Sequence, residues 1–199
     1  IMALLWCEGF DSYGDAFNTA PQPSGIMASK YVSVSNESQI DIESAGPISG
    51  NYLQMSGAAY NMLITTPDIT TNATMIAGVR FYDWTGGGFS SDNDWPLLVF
   101  RDGTSACVQL RMTNGFFWLV DGANKFIGHS RIHLPSSKWN YLEMKAFNHS
   151  SNGSVEVRLN GAPIIQVSSV NTNHGGNGYF TRCSIGDNTP IRVSQSTLL

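Results

Sequence analysis

Charge is scarce in this chain of 199 residues. Only 13% are Asp, Glu, Lys or Arg, about half of the roughly 25% usual in soluble domains. Ser, Thr and Asn together are twice as numerous as those four types, so the surface is mostly neutral and hydrogen-bonding. The net charge is −4 and no basic run is present, which argues against a nucleic-acid binder because nothing stands ready to neutralise phosphates. Three cysteines, Cys7, Cys107 and Cys183, are widely spaced and include no CxxC. A disulfide framework is therefore not expected, although Cys7 and Cys183 could meet if the terminal strands are neighbours; a reduced compartment fits best. No apolar run approaches the roughly 20 residues of a membrane span. The opening IMALLW offers only six apolar residues without a basic start, and it does not read as a signal peptide. A sustained 3.6-residue period is missing throughout, which excludes a helical architecture.

What the chain does have is period-two alternation. In Trp139–Gly161, WNYLEMKAFNHSSNGSVEVRLNG, the residues Leu142, Met144 and Ala146 alternate with Tyr141, Glu143, Lys145 and Phe147. Val155, Val157 and Leu159 alternate with Ser154, Glu156, Arg158 and Asn160. Each strand then buries one face and wets the other. The intervening HSSNG offers Asn152-Gly153 for the positive φ of a tight reversal. Pairing Phe147 with Ser154 sets Lys145 opposite Glu156 and Glu143 opposite Arg158; a shift by two would oppose Lys145 and Arg158, a pairing sheets avoid. The first register is the expected one.

Short strands recur along the rest of the chain. They read as Leu4–Phe10, Tyr31–Val34, Gln39–Glu43, Tyr52–Met55, Asn61–Thr66, Thr74–Tyr82, Leu97–Arg101, Cys107–Met112, Phe116–Val120, Phe126–His129, Arg131–Leu134, Pro163–Val167, Tyr179–Ile185 and Ile191–Val193. Asp102-Gly103, Asn114-Gly115, Asp121-Gly122 and Asn160-Gly161 punctuate the junctions. Many short strands with regular turns predict an all-β, two-sheet antiparallel sandwich of jelly-roll type. With 42% hydrophobic residues the chain can bury a core as one domain: a strand and arm over residues 1–25, then the sandwich over 26–199. The four sequons at Asn36, Asn72, Asn148 and Asn152 read as polar turns.

Four landmarks carry a resemblance: FYDWTGGG closing a long strand, LLVFRDG, LRMTNGFFWLVDG, and KWNYLEMKAF followed by GSVEVRLNGAPI. In this order they resemble the concanavalin A-like lectin/glucanase superfamily in its laminin G-like jelly-roll form, over about Ile76 to Ile185. The opening LLWCEGFDSYG is similar to that of structural proteins of tailed bacteriophages carrying this jelly roll. Glucanases of this sandwich carry an E-x-D-x-E strand whose outer glutamates serve retaining hydrolysis. Gln39-Ile40-Asp41-Ile42-Glu43 echoes it, but Gln39 stands at the nucleophile position and cannot form a glycosyl ester.

The loop from Trp84 to Trp95, WTGGGFSSDNDW, is the candidate ligand-binding site. Trp84, Phe89 and Trp95 could stack on sugars while Asp92, Asn93 and Asp94 meet hydroxyls. Oxygen ligands of this type also suit Ca²⁺, but a full site needs 6–8 of them, so no metal is expected; the plainer alternative is that the tryptophans fill the sandwich edge. His129 and His133 are four apart, separated by a bend, without HExxH or a cysteine partner; they read as surface or hydrogen-bonded histidines rather than zinc ligands. His174 lies in NTNHGGNG, a glycine-rich loop expected to be too flexible for catalysis. No G-x-S-x-G, P-loop or dinucleotide fingerprint occurs.

The resemblance thus implies a non-enzymatic bacteriophage virion protein, of capsid-decoration or fibre type, with no catalytic residues and no cofactor. Its partners would be other virion proteins and copies of itself, with neither nucleic acid nor membrane. It would be assembled in the bacterial cytoplasm, or else be extracellular. The alternative is a lectin-like module binding glycans through the Trp84–Trp95 loop.

Overall fold

The computed structural model describes residues 31, 33–35, 40–44, 51–55, 63–82, 95–113, 115–134 and 138–186. Among them are thirteen strands and no helix. The strands are β1 (Ser33–Ser35), β2 (Ile40–Ser44), β3 (Asn51–Met55), β4 (Leu63–Thr65), β5 (Thr74–Tyr82), β6 (Trp95–Asp102), β7 (Ser105–Thr113), β8 (Phe116–Asp121), β9 (Phe126–His129), β10 (Trp139–Phe147), β11 (Gly153–Leu159), β12 (Ala162–Val170) and β13 (Arg182–Gly186). A seven-stranded sheet runs β1-β4-β13-β6-β7-β8-β9 and a four-stranded sheet runs β12-β11-β10-β5; β2 and β3 form a separate pair. Neighbouring strands are antiparallel throughout. This is the jelly-roll sandwich that alternation and turn spacing predict. The strands expected at Leu4–Phe10 and Ile191–Val193 lie outside the described residues, as do residues 1–30, Gln39 and Cys7.

The core lies between the two large sheets. Leu98, Phe100, Val108, Leu110, Met112, Phe117 and Leu119 from one side meet Met75, Leu142, Met144, Ala146, Val155 and Val157 from the other. Each of these is an every-second residue of its strand, as one buried face requires. The β10–β11 hairpin has the expected register, with Phe147 opposite Ser154, Lys145 opposite Glu156 and Glu143 opposite Arg158. Its ion pair, however, runs along β11: Arg158 Nε lies 2.5 Å from Glu156 Oε1. The Glu156 carboxylate raises the Arg158 pKa above its ordinary value.

The turn of that hairpin is built differently from the sequence expectation. Neither Asn152 nor Gly153 takes a positive φ; Asn160 and Gly161, in the next hairpin, both do. Instead His149 Nδ1 accepts the backbone N–H groups of Ser151 (3.1 Å) and Asn152 (2.9 Å). Gly153 is needed for room: a Cβ there would fall 2.2 Å from Thr172 Oγ1 and 2.6 Å from the Val170 carbonyl oxygen.

Cys107 and Cys183 are buried free thiols. Burial pushes both upward, Cys183 to about 12. At the start of β13 Arg182 Nε lies 2.6 Å from Asp68 Oδ1 and holds that carboxyl below its ordinary value.

Candidate functional site

The seven-stranded sheet has a second face, turned away from the core. Val99 on β6, Gln109 and Arg111 on β7, and Trp118 and Val120 on β8 alternate with core residues and so point there. The middle of this face is itself buried, with Arg111 at 0% exposure and Gln109 at 2%. Arg111 Nη2 donates to Gln109 Oε1 (2.6 Å) and to Asn124 Oδ1 (3.0 Å), and Gln109 Nε2 donates to the same Asn124 oxygen (3.0 Å). Asn124 reaches inward from the β8–β9 turn, where it takes a left-handed φ of 63°. Asp121 shapes that turn: its Oδ1 accepts the N–H groups of Ala123 and Lys125, an Asx arrangement.

Toward the β8–β9 edge the face opens. Phe116 is 37% exposed and Phe126 45%. The indole of Trp118 and the imidazole of His129, cross-strand partners, are stacked at 5.6 Å between centroids and 30° between planes. Phe126 closes the group, 5.7 Å from Trp118 and 5.9 Å from His129. Trp118 Nε1 is buried without a hydrogen-bond partner. His129 Nδ1 lies 3.0 Å from the Ser130 carbonyl oxygen. A carbonyl only accepts, so the neutral ring carries its proton on Nδ1 and leaves the Nε2 lone pair bare.

His133 repeats the arrangement. Its Nδ1 lies 2.9 Å from the Leu134 carbonyl oxygen, and its ring meets Phe116 edge-on at 5.1 Å. The strand expected at Arg131–Leu134 does not form; a bend replaces it, held by Ser130. The Ser130 hydroxyl accepts the Phe117 N–H (3.2 Å) and donates to the Ile132 carbonyl (3.0 Å). From Gly122 to Leu142 the chain carries Lys125, Arg131 and Lys138 and no carboxylate, although the whole molecule is acidic. Lys125 and Arg131, on either side of β9, are exposed.

A second constellation lies at the sandwich end. His174 Nε2 is 3.2 Å from Asp121 Oδ2, close enough for ion pairing but off axis for a hydrogen bond. Asn177 donates to Asp102, and Asn173 Oδ1 accepts the N–H groups of Gly176 (3.1 Å) and Gly178 (3.1 Å). The Asn171–Tyr179 loop, expected to be flexible, is therefore stapled by its own amides. It is a structural latch. Among the described residues no group of three His, Cys, Asp or Glu could hold a metal ion.

Of the loop residues expected to bind ligand, Trp84, Phe89, Asp92, Asn93 and Asp94 lie outside the described residues, and Trp95 opens β6 paired with Met112. Among the described residues the Asp41 and Glu43 strand pairs with β3 alone. The face assembled from Trp118, Phe126 and His129 is not evident in the sequence, because it takes the pairing of two strands, β8 and β9, to bring the three rings together.

No protein-family profile and no curated protein match the chain. Solved structures do match its architecture. One is the alginate lyase Aly36B, at 10% identity, covering 94% of this chain and 87% of the other, TM-score 0.55. Another is the endo-β-1,4-glucuronan lyase of the fungus Trichoderma reesei, at 10% identity, covering 78% of each chain, TM-score 0.57. A variant of Aly36B in complex with an alginate trisaccharide matches at 11% identity, covering 92% of this chain and 87% of the other, TM-score 0.53. The likeness is one of fold: an all-β, two-sheet antiparallel jelly-roll sandwich.

These matches correct the expectation of a non-enzymatic bacteriophage virion protein. The three structures named above are those of polysaccharide lyases, not of virion proteins. The open face of the larger sheet exposes Phe116 and Phe126 beside the stacked Trp118 and His129.

Proposed function

We propose that this chain is a carbohydrate-active enzyme of the polysaccharide lyase type, acting on an anionic, uronate-containing polysaccharide. The observation that carries the reading is the stacked Trp118–His129 pair at the open edge of the seven-stranded sheet, with the His129 Nε2 lone pair bare. Aromatic faces suit the apolar faces of sugar rings. The carboxylate-free stretch bearing Lys125 and Arg131 suits the carboxylates of a polyuronate.

In this reading His129 Nε2 takes the proton on the carbon next to the uronate carboxylate. The electron pair of that C–H bond forms the new carbon–carbon double bond, the bond to the glycosidic oxygen breaks, and that oxygen leaves with a proton drawn from solvent. Lys125 and Arg131 offset carboxylate charge that grows as the proton departs.

The test is to incubate the purified chain with polyuronates, alginate and glucuronan among them, and follow the ultraviolet absorbance of the unsaturated product. Cleavage that falls by roughly 10²–10⁴-fold in His129→Ala supports the assignment. Binding without cleavage would remove the catalytic role of His129 and leave a carbohydrate-binding protein.

A further inference from the structure

Two imidazole–aromatic pairs stand side by side along β8, and the function proposed above uses one. Phe116 and Trp118 share a face two residues apart, so their Cα atoms are about 7 Å apart along the strand. His129 stacks on Trp118, and His133 meets Phe116 edge-on. Each histidine rests its Nδ1 on the carbonyl of the residue that follows it. Resting on that reading, we propose that Phe116 and His133 form a second sugar subsite next to the Trp118–His129 station. A bound polysaccharide then runs along β8 at the sheet edge, one sugar ring after another.

His133 is held there by several independent devices. The Ser130 hydroxyl fixes the bend, the Ser130 N–H donates to the Phe117 carbonyl (2.9 Å), and the Leu134 N–H donates to the Gly115 carbonyl (2.7 Å). Gly115 provides the space: a Cβ on it would fall 2.3 Å from His133 Nε2, and its φ of 75° is one that L side chains rarely adopt. An exposed side chain costs entropy to hold in one place. Here the backbone carries that cost, and the ring stands fixed beside an aromatic that is 37% exposed. Ile132, 46% exposed, extends the apolar surface of the same segment. Preorganised aromatic surface of this kind binds with little further ordering.

The test is binding of uronate oligosaccharides of increasing length, by calorimetry, to the wild-type chain, to Phe116→Ala and His133→Ala, and to Phe116→Tyr as the conservative variant. The subsite predicts a length-dependent loss. Tetrasaccharide affinity falls about three- to tenfold in each alanine variant, disaccharide affinity at the Trp118 station changes little, and Phe116→Tyr retains the longer ligand. Equal losses for short and long ligands, or none, would overturn the subsite while leaving the proposed function standing. A wild-type chain that binds no uronate oligosaccharide overturns both. Melting temperatures within a few degrees of wild type separate lost contacts from lost folding.

Discussion

Asn177 Nδ2 donates to both carboxylate oxygens of Asp102, at 3.0 and 2.8 Å, across a sequence separation of 75 residues. Asp102 is only 7% exposed, and the Asn177 backbone N–H adds a third contact at 3.3 Å. A buried carboxylate stripped of its side-chain donor loses about 1–3 kcal/mol. Asn177→Ala should therefore lower the unfolding free energy by that amount, read as a lower urea midpoint with an unchanged m-value. Asn177→Asp should be worse at neutral pH, because two carboxylates would share one site, and should recover as the pH falls into the carboxylate range. A midpoint unaffected by Asn177→Ala would show that the latch contributes nothing to stability.

The β10–β11 turn offers a sharper contrast. Gly153→Ala would drive a methyl group into the Val170 carbonyl and the Thr172 hydroxyl, and Thr172 is itself fully buried. Overpacking of this kind costs about 1–3 kcal/mol. Asn152→Ala, at an exposed position without a positive φ, should stay within about 0.5 kcal/mol of wild type. Equilibrium denaturation of the two variants side by side decides it. The reverse order would mean that the turn depends on Asn152 conformation after all.

Cys107 and Cys183 should resist alkylation in the folded protein and react once it unfolds. Cys183 has a thiol pKa pushed up to about 12 by burial, from an ordinary value of 9.0. The folded state therefore keeps a proton that the unfolded state releases, and stability falls as pH rises from about 9 toward 12. Iodoacetamide labelling read by mass spectrometry, and melting temperature against pH, check the two statements. Rapid native labelling of Cys183 would contradict its burial.

The fold was legible in the sequence where physics is local. Alternation fixed the faces of β10 and β11, and the charges of Lys145, Glu143, Glu156 and Arg158 chose their register. The Asn152-Gly153 turn misled because His149 supplies the hydrogen bonds that a left-handed residue would otherwise organise. Arg111 was not legible as buried. Charged residues are almost never fully buried, and the side chains of Gln109, two residues away, and Asn124, from the β8–β9 turn, accept hydrogen bonds from its guanidinium. His129 and His133 were visible as a pair flanking a bend. What could not be read was that Trp118 and Phe116 lie beneath them, because strand pairing and the Ser130 bridge bring those partners together.

The charge of the β8–β9 edge gives the last prediction. Lys125 and Arg131 stand exposed in a stretch without carboxylates, within a molecule of net charge −4. If this edge holds a polyuronate, the long-range attraction comes from these cations, because the rest of the molecule repels an anion. Attraction between exposed charges is screened within about 10 Å at 0.1 M salt. Affinity for polyuronate should therefore fall steadily as sodium chloride rises, and the fall should come mainly from slower association. Lys125→Glu and Arg131→Glu should each weaken binding several-fold at low salt and flatten the salt dependence, with no change in melting temperature. A neutral polysaccharide of matching length should show neither effect, since stacking on Trp118 and Phe126 does not depend on ionic strength. Salt-independent binding of the polyuronate, or charge reversals without effect, would move the anion-binding surface away from this edge.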